Sequence, residues 1–262
     1  MSELLRLEGI CKVYDKGLDE AVILDDINLY ISEKEFVCLL GPFGCGKSTL
    51  MKILGGIEKP TLGTIYFKGK ELNDGIPRQL LPSFGSVFQN NVLLNWRSVR
   101  KNLELSLEIF GLKGQQWEER IDDLLEMVGL SEYQDIFPHE LSGGMRQRAG
   151  IARALVHDPE ILILDQPFGA LDAIIRKMIS YEVRDIWKKT QKTIFMVTNN
   201  MNEALLLSTR ILIMDKEGNI AHEFINDVPQ EARNESIALD PNFSVLRAKL
   251  SAIIHKEEDE ED

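Results

Sequence analysis

Residues 36–54 read FVCLLGPFGCGKSTLMKIL, and this stretch decides the fold. Phe36 to Leu40 are five apolar residues in a row, the mark of a strand buried on both faces of a parallel sheet. Thr49 to Leu54 have helical character, so Gly41 to Ser48 is a glycine-rich turn from buried strand to helix, the setting that a phosphate-binding loop requires. Gly41, Gly44 and Gly46 let the backbone take left-handed angles and approach an anion closely, while the following helix offers its positive end. Lys47 would reach the β- and γ-phosphates and Ser48 would ligate Mg2+. The alternative is a glycine-rich turn that binds nothing, and the position after a buried strand disfavours it.

The 262 residues suffice for one large α/β domain or for one domain with an inserted lobe. Of the net charge of −12, the six acids and one lysine from Lys256 to Asp262 carry −5, leaving −7 to the rest. An acidic chain does not attract nucleic acid, so DNA or RNA is not expected as the main partner, and the tail at 256–262 is expected to be disordered. Cys11, Cys38 and Cys45 form no disulfide framework and no zinc spacing, which suits a reducing cytosol. Cys38 is expected in the core, and Cys45, inside the phosphate loop, is expected to make nucleotide binding sensitive to thiol reagents. The four histidines show no ligand spacing, so no metal other than Mg2+ is indicated. The start MSELLRLEGI has neither a basic start nor a long apolar region, so no leader is expected, and no run approaches the ~20 apolar residues of a membrane span.

Leu4 to Val13, Val22 to Ile31 and Thr64 to Lys68 have strand-like spacing, with a turn through Asp15-Lys16-Gly17, and suggest an antiparallel layer beside the loop. Tyr14 ends the first of these; it offers a ring to adenine or is a half-buried strand residue. Ser98 to Phe110 and Gln116 to Val128 are helical, the second with Trp117, Ile121, Leu124, Leu125 and Val128 on one face. They belong to a helical insert at about 90–157. The sheet resumes at Ile161 to Leu164, Thr193 to Val197 and Ile211 to Met214, separated by helices at Leu171 to Lys188 and Met201 to Leu207, a βαβ pattern with a mostly parallel sheet.

Asp165 closes the run ILIL, at the carboxyl edge where such sheets bind ligands, and there it would hold Mg2+. In LSGGMRQ, from Leu141 to Gln147, Ser142, Gly143 and Gly144 precede a helix of on the order of 20 Å and make a second anion site.

Taken together, the motifs resemble the ATP-binding subunit of an ABC transporter, a P-loop NTPase cassette of the α/β class. GPFGCGKST is similar to the family's Walker A loop, LSGGMRQR to its signature, ILILDQP to its Walker B strand, GALD to its D-loop, and Gln89 in VFQNN to its Q-loop, in family order over roughly residues 3 to 254. The resemblance implies an ATP-binding domain over 1–235 and a C-terminal helix over 236–255. It also implies head-to-tail pairing of two subunits, most simply a homodimer, with ATP between Walker A of one and Ser142, Gly143 and Gly144 of the other. By position, Gly41, Gly44, Cys45, Gly46, Lys47, Ser48 and Thr49 would cradle ATP, Tyr14 would stack on adenine, and Ser48, Gln89 and Asp165 would hold Mg2+. Asp172 would communicate across the dimer. The surface near Trp96 and Arg97 would receive a membrane permease, with ordinary packing of Trp96 as the alternative. LLNWRSVRKNLEL is similar to LLPWRTVLDNV of nitrate, sulfonate and taurine importers, and DPNFSVLRAKLSAII to that group's C-terminal helix. Such importers also use an extracytoplasmic binding protein, and their ATP-binding subunit lies on the cytoplasmic face of the inner or cell membrane, held by the permease.

Four positions depart from the family pattern. Gln166 stands where a Glu polarises water, Asn199 where a His acts as a switch, and Asn200 where Asp is usual. An amide can hold water but cannot accept its proton. Gln166 is then an isosteric change that traps the ATP-bound state, a feature of a clamp subunit beside a catalytic homologue, or a water-orienting group as in small GTPases. The first is preferred for Gln166, and natural divergence for Asn199. Phe43 replaces a small polar residue, with no account from sequence. The rival functions are a soluble ABC protein of translation or DNA repair and an ATP-binding scaffold without turnover.

Overall fold

The computed structural model describes residues 2–15, 20–72, 75–88, 93–169, 171–229, 233, 237 and 241–259, with side chains as far as 254. In chain order its elements are β1 (Glu3–Asp15), β2 (Glu20–Ser32), β3 (Phe36–Leu40), α1 (Lys47–Leu54), β4 (Leu62–Phe67), β5 (Lys70–Glu71), β6 (Phe84–Val87), α2 (Val99–Phe110) and α3 (Gln115–Met127). There follow α4 (Gly143–Leu155), β7 (Ile161–Asp165), α5 (Ala173–Thr190), β8 (Thr193–Val197), α6 (Met201–Leu207), β9 (Arg210–Met214), β10 (Ile220–Ile225) and α7 (Pro241–Asp259). They form two compact units, Met1–Arg78 with Thr193–Asp262, and Gln79–Lys192.

In the first unit β3 lies between β8 and β9 and is parallel to both, with Cys38 opposite Met196 on one side and Ile211 on the other. Every residue of these three strands is buried, which explains their unbroken apolar runs. β10 pairs antiparallel with β9 at the edge. Its sequence, IAHEFI, is largely exposed and is interrupted by His222 and Glu223, so it lacks the unbroken apolar run that betrays the other strands. The expected antiparallel layer is the sheet β2-β1-β4-β5. Arg210, 2% exposed on β9, is ion-paired with Glu35 at 2.7 Å and Glu223 at 3.2 Å, the pairing that a buried charge needs. The C-terminal helix begins at Pro241, later than expected, and continues through Asp259 into the acidic run that composition assigned to a disordered tail. Lys and Glu are good helix formers, and charge alone does not end a helix.

In the second unit β6 runs parallel to β7, Phe84 opposite Ile161 and Val87 opposite Leu164. Sequence reading passed over β6, which has only four residues and holds a glycine. That glycine, Gly85, lets α4 approach: a Cβ there would lie 2.4 Å from the Ala154 carbonyl oxygen. α2 starts at the cap Ser98, whose side chain accepts from the Lys101 amide, and stops at Gly111 in the left-handed region. α3 buries Ile121, Leu124 and Leu125 on the face expected from their spacing.

Asn102 fixes α2 to the chain that enters it. It is fully buried, accepts from the Leu94 amide at 2.7 Å, and donates to the carbonyls of Leu94, Arg97 and Ser98 at 2.9 to 3.1 Å. Asn102→Ala takes the partner from the Leu94 amide and the Arg97 carbonyl, while the Leu94 and Ser98 carbonyls keep the amides of Arg97 and Asn102, and buried unsatisfied groups cost about 1–3 kcal/mol each. The urea midpoint of the full chain therefore falls, and Asn102→Asp, which keeps the acceptor and loses the donors, falls with it.

Candidate active site

β3 delivers the chain to the loop at Gly41, and α1 starts at Lys47 with Gly46, at φ 99°, as its N-cap. No side chain caps α1, so its first amides are left for an outside acceptor. A Cβ on Gly46 would lie 2.5 Å from the Ile23 carbonyl oxygen, and one on Gly41 2.6 Å from that of Met214, so both positions admit only glycine. Gly44, at φ 85°, has open space in the same direction. Lys47 is 5% exposed, and its ammonium folds back over the loop, donating to the carbonyls of Gly41 (2.8 Å) and Pro42, with the Cys45 sulfur at 3.5 Å. Phosphate oxygens in place of those neutral carbonyls would turn the same donors into charge-assisted bonds. Ser48 is exposed on the first turn and Thr49 half-buried behind it.

Tyr14, at the end of β1, is half-buried; its hydroxyl bonds Glu58, which in turn holds Lys52 at 3.1 Å, and Lys12 sits 5.0 Å from the ring centre. Burial, then the Glu58 bond, push the Tyr14 phenol above its ordinary value, and the same bond first of all holds the Glu58 carboxyl below its own. The ring is thereby fixed and already paired with a cation.

The switch position lies on the strand next to the loop. Leu39 of β3 is opposite Val197 of β8, and the Thr198 amide donates to the Leu39 carbonyl at 3.2 Å, so both strands release their chains at the same edge. Asn199 is exposed there. Asn200 is the N-cap of α6, its side-chain oxygen accepting from the amides of Asn202 (2.9 Å) and Glu203 (3.3 Å). Asp and Asn are equally good caps, so this departure from the family pattern is structurally neutral, unlike that at Asn199. Sequence reading missed Thr198 and the buried Glu203, which bond each other through their side chains and brace this turn. The signal was available: Asn200-x-x-Glu203 is a capping-box spacing.

In the second unit Asp165 ends β7 and is 8% exposed. Gln89, which follows β6, lies outside the described residues. Gln166 is half-buried at φ 43°, a left-handed conformation that costs a residue with a side chain about 1–2 kcal/mol. Its carbonyl accepts from the Gly169 amide at 3.1 Å. Asp172 caps α5 through bonds from the amides of Ile174 and Ile175, both 3.1 Å. Ser142 caps α4, accepting from the Met145 amide at 3.3 Å. Cβ atoms on Gly143 and Gly144 would meet Leu171 at 3.1 Å and Ile175 at 3.2 Å, so the first turns of α4 and α5 pack side by side. The unit thus brings Ser142, Gly143 and Gly144 together with the turn that carries Asp172.

Two expectations are revised. Cys45 is 3% exposed, and burial pushes its thiol above the ordinary range although Lys47 opposes this, so a thiol reagent meets a shielded and protonated group. Trp96 is 75% exposed, which removes the packing alternative, while Arg97 holds Glu108 through two bonds of 3.0 and 2.9 Å. Within the first unit the donor set fits a phosphate chain with its cation: a glycine cradle that side chains at Gly41 and Gly46 would fill, a lysine over it, and a hard oxygen donor in the exposed Ser48.

The family model described as ABC transporter matches residues 24–169. The chain is 40% identical over 242 residues to the taurine import ATP-binding protein TauB of Rhizobium johnstonii, covering 90% of each. It is 35% identical over 256 residues to the nitrate import ATP-binding protein NrtD of Synechococcus elongatus, covering 96% of this chain and 92% of that one. Among solved structures, a dimeric post-hydrolysis state of the ATP-binding cassette MJ0796 bound to ADP and Pi matches with a TM-score of 0.74 at 32% identity, over 86% of this chain and 100% of that one.

Two measurements check this geometry. A raised thiol pKa means less thiolate at neutral pH, so Cys45 alkylates slowly near neutrality and speeds up only above the ordinary thiol range of about 8.5; peptide mapping after iodoacetamide treatment across pH reads this. For the α6 cap, Asn200→Asp leaves thermal stability unchanged, whereas Asn200→Ala lowers it by about 1 kcal/mol.

Proposed function

The chain belongs to the ABC transporter ATP-binding family, and from that premise we propose that it powers a membrane importer of a small molecule, with hydrolysis impaired by Gln166. The observation that carries the reading is Lys47, held by loop carbonyls over a turn that admits only glycine at Gly41 and Gly46. In this reading Gly41, Gly44, Cys45, Gly46 and Thr49 offer backbone groups to the phosphates, Lys47 holds the β- and γ-phosphates, and Tyr14 meets adenine. Ser142, Gly143 and Gly144 serve the nucleotide of a second subunit. Mg2+, held by Ser48, Gln89 and Asp165, would neutralise phosphate charge. Asn199 contacts the γ-phosphate side as a hydrogen-bond donor that does not titrate near neutrality.

The pairing of two such subunits is supported by the dimeric state of the MJ0796 cassette, and import by the names of the taurine and nitrate relatives. No helix among the described residues is long and apolar enough to cross a membrane; in this reading a permease makes the crossing and an extracytoplasmic binding protein delivers the substrate. The permease meets the exposed Trp96 and holds the subunit at the cytoplasmic face. The cycle follows from differential affinity: ATP favours the closed dimer, and ADP with phosphate does not.

The Gln166 amide orients water without taking its proton, and loss of a general base lowers rates roughly 100- to 10,000-fold. This same residue favours a second reading, a non-hydrolysing clamp paired with a catalytic homologue. Phosphate release from Mg-ATP by the permease-bound complex separates them. Gln166→Glu raises turnover by two or more orders of magnitude if Gln166 is the block. If both forms stay silent, the clamp reading replaces self-sufficient hydrolysis; equal and substantial turnover would show that water is activated without a carboxylate here.

A further inference from the structure

The phosphate loop carries one side chain with no place in its own unit. Phe43 is 100% exposed, although Pro42 before it and Cys45, beyond the exposed Gly44, are buried. Single exposed apolar residues are ordinary, but a phenyl at the tip of a nucleotide loop stands where, in the dimer proposed above, a second subunit closes.

The second unit carries a matching feature. The first turns of α5 set the half-buried Ile175 and the buried Ile179 against Gly144 of the signature turn, and leave Ile174 (74% exposed) and Met178 (55%) in solvent. Residues four apart lie together on one helix face, so these two make a small apolar ledge. It adjoins the turn of Ser142, Gly143 and Asp172, the part of the chain that the proposed pairing sets against the other subunit's phosphate loop.

We propose that Phe43 is a peg that seats on the ledge formed by the partner's Ile174 and the partner's Met178, and that it selects a second copy of this chain as the dimer partner. The occupant is a second copy because one sequence supplies both halves of the contact, and a two-fold axis makes it twice. A phenyl fits a ledge of one branched and one flexible side chain, since methionine adapts its shape and its sulfur favours an aromatic edge. A small polar residue at position 43 could not fill such a ledge, which gives this chain's departure from its family pattern a purpose: it adds apolar adhesion to a dimer otherwise held by nucleotide. Phe43 is thus a specificity residue for pairing, and hydrolysis does not depend on it directly.

This inference rests on the ATP-dependent dimer of the proposed function. The test is sedimentation of the full chain with ATP and EDTA, so that turnover does not intrude, beside Phe43→Ser, Met178→Ser, the double variant and Phe43→Leu. Binding of a fluorescent ATP analogue to dilute monomer is measured in parallel. The account expects wild type to dimerise with ATP, each serine variant to weaken the dimer about 10-fold or more, and Phe43→Leu to restore most of the loss. The double variant is then no weaker than the weaker single, because both singles remove one contact. Additive losses, or none, with an intact wild-type dimer overturn the peg and leave the proposed function standing. A wild type that binds ATP but stays monomeric overturns the second copy as occupant. Failure of wild type to bind ATP overturns the proposed function and this inference with it.

Discussion

An ammonium that is 5% exposed must be given acceptors, and much of the first unit is arranged to supply them to Lys47. The loop can turn its Gly41 and Pro42 carbonyls toward that nitrogen only because β3 ends abruptly, inside two parallel neighbours, and because Gly41 and Gly46 permit backbone contacts that any Cβ would block. The resulting state is poised. The lysine is satisfied at modest strength by neutral oxygens, α1 has no side-chain cap, and an anion arriving at the loop offers stronger bonds to both at once. Binding then needs little rearrangement of backbone, which is the value of a preorganised site.

The elements legible in sequence were those whose burial writes an unambiguous pattern. β3, β7, β8 and β9 are buried along their whole length, so their runs are apolar without alternation, and the phosphate loop and Asp165 could be placed at strand ends from them. Ser142 was legible as a small polar residue opening a helix, and the structure gives it as a cap, whereas Asp172, read inside a helix from Leu171, proves to be the cap of α5. What could not be read has a physical reason in each case. β6 is too short and β10 too exposed to carry a pattern. The burial of Cys45 depends on how the loop folds under its own lysine, which no local sequence states. The role of Asn200 was masked by comparison with a family motif, when its local chemistry, a cap three residues before Glu203, was the better guide.

Gln166 is where local preference and structure disagree. A glutamine in the left-handed region is uncommon, and a residue held in such a conformation is typical of a position whose side-chain direction matters more than its comfort. Whatever side chain stands there is aimed by the turn that its own carbonyl closes with Gly169, so exchange of an amide for a carboxylate changes the chemistry of the position and leaves its geometry in place. The braced turn of Thr198, Asn200 and Glu203 holds Asn199 in the same manner in the first unit.

The central claim, that the loop under Lys47 is a phosphate site, is tested most directly by calorimetric titration of ATP into the isolated chain, with Lys47→Ala as the comparison. The account predicts one nucleotide per chain, with ADP also binding, adenosine binding far more weakly, and affinity for ATP falling at least about 10-fold in Lys47→Ala, as expected for loss of a charge-assisted bond to phosphate. Equal affinity for adenosine and ATP, or binding indifferent to Lys47, would contradict it.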